Sequence, residues 1–533
     1  MKTFSSIIIL SKKVYAENFE GMVNLNNNKN RGFVGHSLDT IERVGNKLPH
    51  PVTLFAMFAG FVVLFSWLFS TLGVSVEHPT QEGEILEVKN LLSADGIKYM
   101  FTSMVGNFTG FAPLGTVLVT MLGIGIAERS GLISAALRAL VMSVPNQLIT
   151  AALVFGGIMS SMAADAGYVV LTPLGAVLFA GLGRHPLAGL AAAFAGVSAG
   201  FSANLLLTSL DPLLGSLTQT AAATYDPVYA ETINYAMNYY FMIVSVFVLT
   251  IIGTLVTEKI VEPRLGTYKG GISEKVEGIS AIEKKGLLGA LVAFIVTIAA
   301  LALLIVPEWG PLRGEDGAII NSPFFSSLVP VILIMFFVPG FVYGRITKSI
   351  KNDKDVADQL SDTMATMGAY IVLAFAAGQF VAYFNETNLG MIMAVKGAEF
   401  LDTTGFTGIP LIITFMVVAG TINLFIGSAS AKWAIMAPVF VPMMMELGYS
   451  PELTQLAYRL ADSTTNVISP LMPYFAIVIA FAQKYDKKVG IGTLISTMIP
   501  YSIAFSIIWV LMLIGWMMFG IDLGPGSPIL YTR

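Results

Sequence analysis

The chain contains no cysteine. That removes disulfides, thiol nucleophiles, zinc–thiolate sites and iron–sulfur clusters together. Charge is nearly as scarce: 30 basic and 34 acidic residues make up 12% of 533, where an ordinary soluble domain carries about 25%. Too little charge remains to wet the surface of a globular enzyme of this length. Net charge is −4 and no basic stripe is present, so nothing tracks the phosphates of a nucleic acid. Histidine occurs four times (36, 50, 78 and 185), always outside the long apolar runs, which excludes a histidine proton relay at membrane depth. What is plentiful is apolar: 55% of residues, with a mean hydropathy of +0.75. The chain reads as an integral membrane protein.

A spanning helix needs about 20 mostly apolar residues. Nine stretches meet that need: 51–72, 110–127, 187–216, 237–257, 287–306, 324–343, 363–384, 454–482 and 490–519. Two more, 148–180 and 409–445, are too long for one crossing and short for two. Each is interrupted at its middle, by 160–167 (Ser-Ser-Met-Ala-Ala-Asp-Ala-Gly) and by 427–432 (Gly-Ser-Ala-Ser-Ala-Lys). Both read as re-entrant hairpins, since irregular backbone at membrane depth is tolerated only inside protein or beside a water-filled cavity; two ordinary spans each is the alternative. The expected fold is therefore all-α, with nine transmembrane helices, two hairpins, inverted repeats and broken helices at the midplane.

The distribution of basic residues supports that layout. With the N-terminus cytoplasmic, 23 of the 30 lysines and arginines fall on the inner side and five outside, leaving Lys432 and Arg459 inside membrane segments. Treating either hairpin as one crossing would destroy the bias. The C-terminus is then expected outside. The expected organisation is a cytoplasmic tail (1–50, mobile over 1–33), a first span (51–72), repeat one (110–257, hairpin 148–180) and a cytoplasmic linker (258–286). Two linking or dimerisation spans (287–343), an amphipathic inner-surface segment (344–362), repeat two (363–519, hairpin 409–445) and an outer tail (520–533) follow.

The repeats show in the residues. Shifting 158–179 onto 423–444 brings Tyr168 to Trp433 and Pro173 to Pro438, an offset of 265. Asn204 falls on Asn466 at 262, and Glu128-Arg129-Ser130-Gly131 falls near Glu386–Gly390 at about 258. Their first spans run in opposite directions. Inverted repeats with broken helices are the mark of secondary transporters, whose site lies where the repeats meet.

The chemistry is expected there. Asn204 precedes Asp211-Pro212, and Asn466 precedes Ser469-Pro470 and Pro473. Proline frees upstream carbonyls, which with asparagine oxygens suit a cation; half-helix N-termini suit a carboxylate. Asp165, Asp211, Lys432, Arg459 and Asp462 are ionisable groups at membrane depth, costly and usually functional. Each also has a plain structural reading. Arg459 and Asp462, spaced i,i+3, can neutralise each other; Asp165 and Asp211 can cap helices; Lys432 can snorkel to water. Trp433 beside the second hairpin tip suits an aromatic lining. Sodium could sit near Asp165, Asn204 and Asn466.

These motifs resemble the aminobenzoyl-glutamate transporter (AbgT) family from 48–51 (Leu-Pro-His-Pro) to 524–526 (Gly-Pro-Gly). The similar stretches are 107–115 (NFTGFAPLG), 183–189 (GRHPLAG), 426–431 (IGSASA) and 458–463 (YRLADS). The resemblance implies a homodimer in the inner membrane that imports p-aminobenzoyl-glutamate or exports sulfonamide antimetabolites, coupled to H+ or Na+. Among its functional positions it implies Asp211, Ser430, Trp433, Pro451, Arg459, Asp462 and Pro470, to which Ser428, Asn204 and Asn466 are added from the residues themselves. Lys432 departs from the neutral side chain the resemblance leads one to expect. An ion channel and an intramembrane hydrolase are the alternatives. The first lacks a ring of filter carbonyls; the second lacks any base for Ser428 or Ser430 except Lys432.

Overall fold

The computed structural model describes residues 49, 51–79, 83–163, 166–268, 278–314, 317–319, 322–469, 472 and 474–532. Among them, helices dominate and one small antiparallel ribbon pairs Ser75–Glu77 with Ile85–Glu87. The expected cytoplasmic tail over 1–48 and the middle of the linker, 269–277, lie outside the described residues.

In chain order the principal helices begin with α1 Pro51–Thr71, α2 Ala94–Thr109, α3 Ala112–Arg129, α4 Leu132–Met142, α5 Ile149–Met159 and α6 Ala166–Gly181. Next come α7 Pro186–Phe194, α8 Leu210–Ala223, α9 Tyr239–Val256, α10 Ala281–Leu303, α11 Leu328–Thr347 and α12 Asp353–Thr366. The remainder are α13 Gly368–Glu386, α14 Leu389–Thr403, α15 Gly408–Asn423, α16 Ala429–Glu446, α17 Pro451–Asn466, α18 Phe475–Gln483 and α19 Ile491–Phe519. Seven described helical runs are long and apolar enough to cross a bilayer. α10 shows why: Leu288, Leu291, Ile295 and Val296 are all more than half exposed, a face that water would not tolerate and lipid does. The segment 73–109, read from the sequence as an outer loop, instead contains α2. Ser93 caps it by accepting from the Gly96 amide at 3.1 Å, and it leads directly into α3.

The helices approach one another through small residues, as membrane helices do. A Cβ added to Gly340 of α11 would lie 2.7 Å from the Ala127 backbone of α3. The first broken helix is gripped from both sides this way. A Cβ on Gly157 of α5 would stand 2.9 Å from Gly196, just beyond α7, and one on Gly189 of α7 would stand 2.7 Å from the Gly175 carbonyl carbon of α6.

Two units recur, α3–α9 and α13–α19. In each, the first long helix turns into a connecting helix through one left-handed residue: Gly131 at φ 92° and Asn388 at φ 60°. Asparagine is among the few side chains that tolerate that region. Each unit then breaks twice. α5 gives way to a tighter helical turn, Ser160–Ala163, before α6, and α15 and α16 are separated over 424–428. α7 runs through a π turn, Ala195–Ala199, and is followed by 200–209 without regular helix before α8. α17 ends at Asn466, and the described residues of 467–474 carry no regular helix before α18. The units exchange partners: α6 of the first packs on α18 of the second, and α16 of the second packs on α8 of the first. The irregular backbone of both units is thereby enclosed by protein, as membrane depth requires.

Candidate functional site

The centre of this exchange is α17. It is the most polar helix of the core, and every residue from Pro451 to Asn466 is buried except half-buried Thr465. Its start is well made. Pro451 takes the first position, where no amide is needed, and Ser450 accepts from the Leu453 amide at 3.1 Å. A helix that is polar and fully buried must find partners for its side chains within the protein.

Arg459 finds its partner in the other repeat. Its Nη1 donates to Asp211 Oδ1 at 2.8 Å, and Nη2 donates to the Ser202 carbonyl at 3.3 Å. Asp211 Oδ2 accepts from the Thr208 amide at 2.7 Å. Ser463 Oγ donates to Ser202 Oγ at 2.8 Å. The break after α7 and the middle of α17 are therefore tied by one charged and several neutral bonds. Arg459 Nε is buried and donates to none of the described residues.

Asp462 is paired with Lys432 of α16, Oδ1 to Nζ at 2.5 Å, with both side chains almost wholly buried. The i,i+3 pairing of Arg459 with Asp462 expected from the sequence is thus corrected. Each is paired instead with an opposite charge on another element, and a desolvated charge depends most on a close counter-ion. Lys432 does not snorkel to water either; it is 0% exposed.

Asn423, the last residue of α15, was not singled out by sequence reasoning. Its Nδ2 lies 2.8 Å from each of the Asp462 carbonyl, Thr465 Oγ1 and Asn466 Oδ1, and its Oδ1 accepts from Lys432 Nζ. In the first repeat Asn204 Nδ2 donates to Ser161 Oγ. Both contacts have the same offset: 161 to 423 and 204 to 466 are each 262. The duplicate spacing of the two asparagines was the signal that could have pointed to Asn423. Asn204 Oδ1 is buried and accepts from none of the described residues.

The aromatic pair behaves likewise. Trp433 stacks on Tyr458 (4.6 Å, 26°) and donates from Nε1 to Thr218 of the first repeat at 2.9 Å. Tyr168 meets Phe194 edge-on (6.1 Å) and stacks on Tyr474 of the second repeat (4.4 Å, 8°). Gln455 donates to the same Thr218 hydroxyl at 2.8 Å. Ser428 caps α16, accepting from the Ala431 amide at 3.3 Å, and lies 3.3 Å from Ser430. Pro470, Pro473 and Asp165 lie outside the described residues. The cluster is closed: Trp433 is fully buried. An open cleft of about 540 Å³ between Ser130, Arg138, Glu283, Tyr343 and Ser349 lies elsewhere.

Long apolar helices around a buried polar cluster define a membrane-embedded helical protein of the transporter class. The chain belongs to the AbgT putative transporter family, whose profile matches residues 36–531. It is 39% identical over 488 residues to the p-aminobenzoyl-glutamate transport protein of Escherichia coli (strain K12), covering 91% of this chain and 95% of that protein. Among solved structures it resembles the YdaH transporter of Alcanivorax borkumensis (44% identity, TM-score 0.85, covering 90% of this chain and all of that one). It also resembles MtrF of Neisseria gonorrhoeae, described within a class of antimetabolite efflux pumps (49% identity, TM-score 0.86, covering 92% of this chain and all of that one). These relatives are named as transporters, not as channels or enzymes.

Proposed function

We propose that the chain is a secondary active transporter of p-aminobenzoyl-glutamate-like aromatic amides, an exporter of sulfonamide antimetabolites, or both, driven by a proton or sodium gradient. One observation carries the reading: the Arg459–Asp211 bond, 2.8 Å and buried, joins the two repeats from the middle of α17 to the first turn of α8. Alternating access moves one repeat against the other, and that bond must change when they separate. Arg459, whose buried Nε donates to none of the described residues, then meets a substrate carboxylate or sulfonamide in the bidentate manner guanidinium favours. The aromatic ring lies against Trp433 and Tyr458. A carboxyl of Asp211 or Asp462 takes the coupling proton; for sodium, the Asn204 oxygen, which accepts from none of the described residues, supports a place in the first repeat. Asn466 supports it less, because its oxygen already accepts from Asn423.

The same reading places the protein in the inner membrane as a homodimer, with the N-terminus cytoplasmic and the C-terminus outside; the bias of basic residues supports the orientation. Purified protein in proteoliposomes, given labelled p-aminobenzoyl-glutamate or a sulfonamide with proton and sodium gradients imposed separately, tests it. Flux that follows one gradient and fails in Asp462→Ala and Trp433→Ala is expected. Flux indifferent to both gradients overturns coupled transport, and unchanged flux in both variants overturns the site.

A further inference from the structure

The two repeats differ at one position in a way that changes charge. With the offset of 265 that brings Tyr168 to Trp433, Lys432 falls on Gly167. In the second repeat the lysine reaches from the start of α16 into the junction of Asn423, Asn466 and Asp462. Its Nζ meets Asp462 Oδ1 at 2.5 Å and donates to Asn423 Oδ1. In the first repeat the Ser161–Asn204 contact, matched at an offset of 262, meets no side-chain cation among the described residues, and the residue that precedes Tyr168 as Lys432 precedes Trp433 is a glycine packed against Ser160. The lysine side chain is 0% exposed and that of Asp462 2%, so neither is solvated by bulk water.

An ammonium held by one carboxylate and one amide oxygen in a dry junction occupies the kind of place a monovalent metal cation takes: oxygen ligands, partial negative charge and no room for a hydration shell. We infer that the Lys432 ammonium is a tethered cation, covalently supplied to the second repeat, which serves as the counter-charge of Asp462 and keeps the Asn423–Asn466 contact oriented without any exchangeable ion there. Lys432 is thus a positioning residue, acting through Asp462 and Asn423. This goes beyond the transport reading and is measurable without it.

Truncating Lys432→Ala removes a group with the size and charge of n-propylammonium, whose neutral amine form crosses bilayers. The full-length variant is expected to unfold at lower temperature than wild type. n-Propylammonium at tens of millimolar is expected to restore most of the loss, while n-propanol, equal in shape and uncharged, restores none; wild type responds to neither. Where wild type carries labelled p-aminobenzoyl-glutamate, the variant's flux is expected to fall at least tenfold and recover at least threefold with the amine alone. Equal rescue by n-propanol, no rescue of a folded variant, or wild-type stability and flux in Lys432→Met overturns the inference. Should Lys432→Ala fail to fold, Lys432→Cys carries the test, since the chain has no other cysteine. Aminoethyl methanethiosulfonate should then stabilise it where methyl methanethiosulfonate does not, and equal effects overturn the inference. If wild type carries no substrate, the transport reading fails while the unfolding arm still decides this one.

Discussion

The first repeat makes its asparagine contact with a serine, and the second with an asparagine that also serves an ammonium and a carbonyl. Ser161–Asn204 is a single bond between a helix end and a broken segment. Asn423–Asn466 sits inside a network with Thr465, Lys432 and Asp462. The first repeat contributes Asp211 to the centre and the second contributes Arg459. Duplication therefore explains the scaffold, and departure from it explains the chemistry: one half carries the extra positive charges at membrane depth, and the other receives one of them. A symmetric pair would place like groups face to face, which repel when desolvated; complementary charges can hold the halves together.

Breaking the bond between the repeats has the largest expected effect. Arg459→Ala leaves Asp211 buried without its counter-ion, a loss of about 3–5 kcal/mol, and transport is expected to vanish. Replacing both partners by apolar residues of similar shape, Arg459→Met with Asp211→Leu, should return most of the stability and none of the transport. Thermal unfolding in detergent and uptake by proteoliposomes separate the two. Recovery of uptake in the double variant would make the pair a strut only.

The asparagine contacts come next. Asn423→Ala removes the two amide protons shared among three acceptors and takes an acceptor from Lys432, so a loss of about 2–4 kcal/mol is expected from several unmade buried bonds. Ser161→Ala removes the bond from Asn204 and the serine's own bond to the Ile158 carbonyl at 2.8 Å, about 1–2 kcal/mol. Equal losses in paired unfolding measurements would mean that the two junctions are energetically alike despite their different networks.

The glycines sharpen the same contrast at lower cost. A Cβ at Gly157 meets the backbone of Gly196 and Val197 at 2.9 Å, whereas one at Gly420 meets the Thr465 methyl at 3.2 Å. Backbone does not move aside as a methyl does, so Gly157→Ala is expected to cost about 1–3 kcal/mol and Gly420→Ala less than about 1 kcal/mol. A reversed order, read from unfolding midpoints, would contradict the tighter closure of the first repeat.

Much of this was legible in the chain. Scarce charge and long apolar runs identify the environment, and the matched pairs Tyr168/Trp433 and Asn204/Asn466 identify the duplication before any coordinate is known. Those signals are local or periodic, and they survive because packing in both repeats imposes the same demand twice. The partners of the charges were not legible. Arg459 and Asp462 lie one helical turn apart, so spacing proposes each to the other; the true partners are 248 residues away and on a different hairpin arm. Nothing along a sequence ranks a contact made by folding above one made by adjacency. Asn423 was missed for a related reason: it ends an apolar helix, carries no charge and belongs to no motif. α2 was missed because Asp95, Lys98 and its polar face lower the hydropathy on which spans are recognised.

The smallest effect concerns how the two broken helices begin. Each starts with a capping side chain followed by proline, and the two caps are 265 residues apart: His185-Pro186 opens α7 and Ser450-Pro451 opens α17. Ser450 is an ordinary cap. His185 caps through Nδ1, which accepts from the Leu187 amide at 3.2 Å, and a nitrogen can accept only when it carries no proton. Partial burial holds the His185 imidazole below its ordinary value of 6.5, against the opposing pull of Glu262 and Asp486. Its folded form therefore resists protonation more than its unfolded form. The stabilisation it brings is present above about pH 6.5 and declines as pH falls below that value. A cap is worth about 1 kcal/mol, so the unfolding midpoint should fall between pH 7 and pH 5 by an increment that His185→Ser abolishes. If His185→Ser leaves the pH profile unchanged, the imidazole is not the titrating cap, and the two broken helices begin alike in chemistry as well as in sequence.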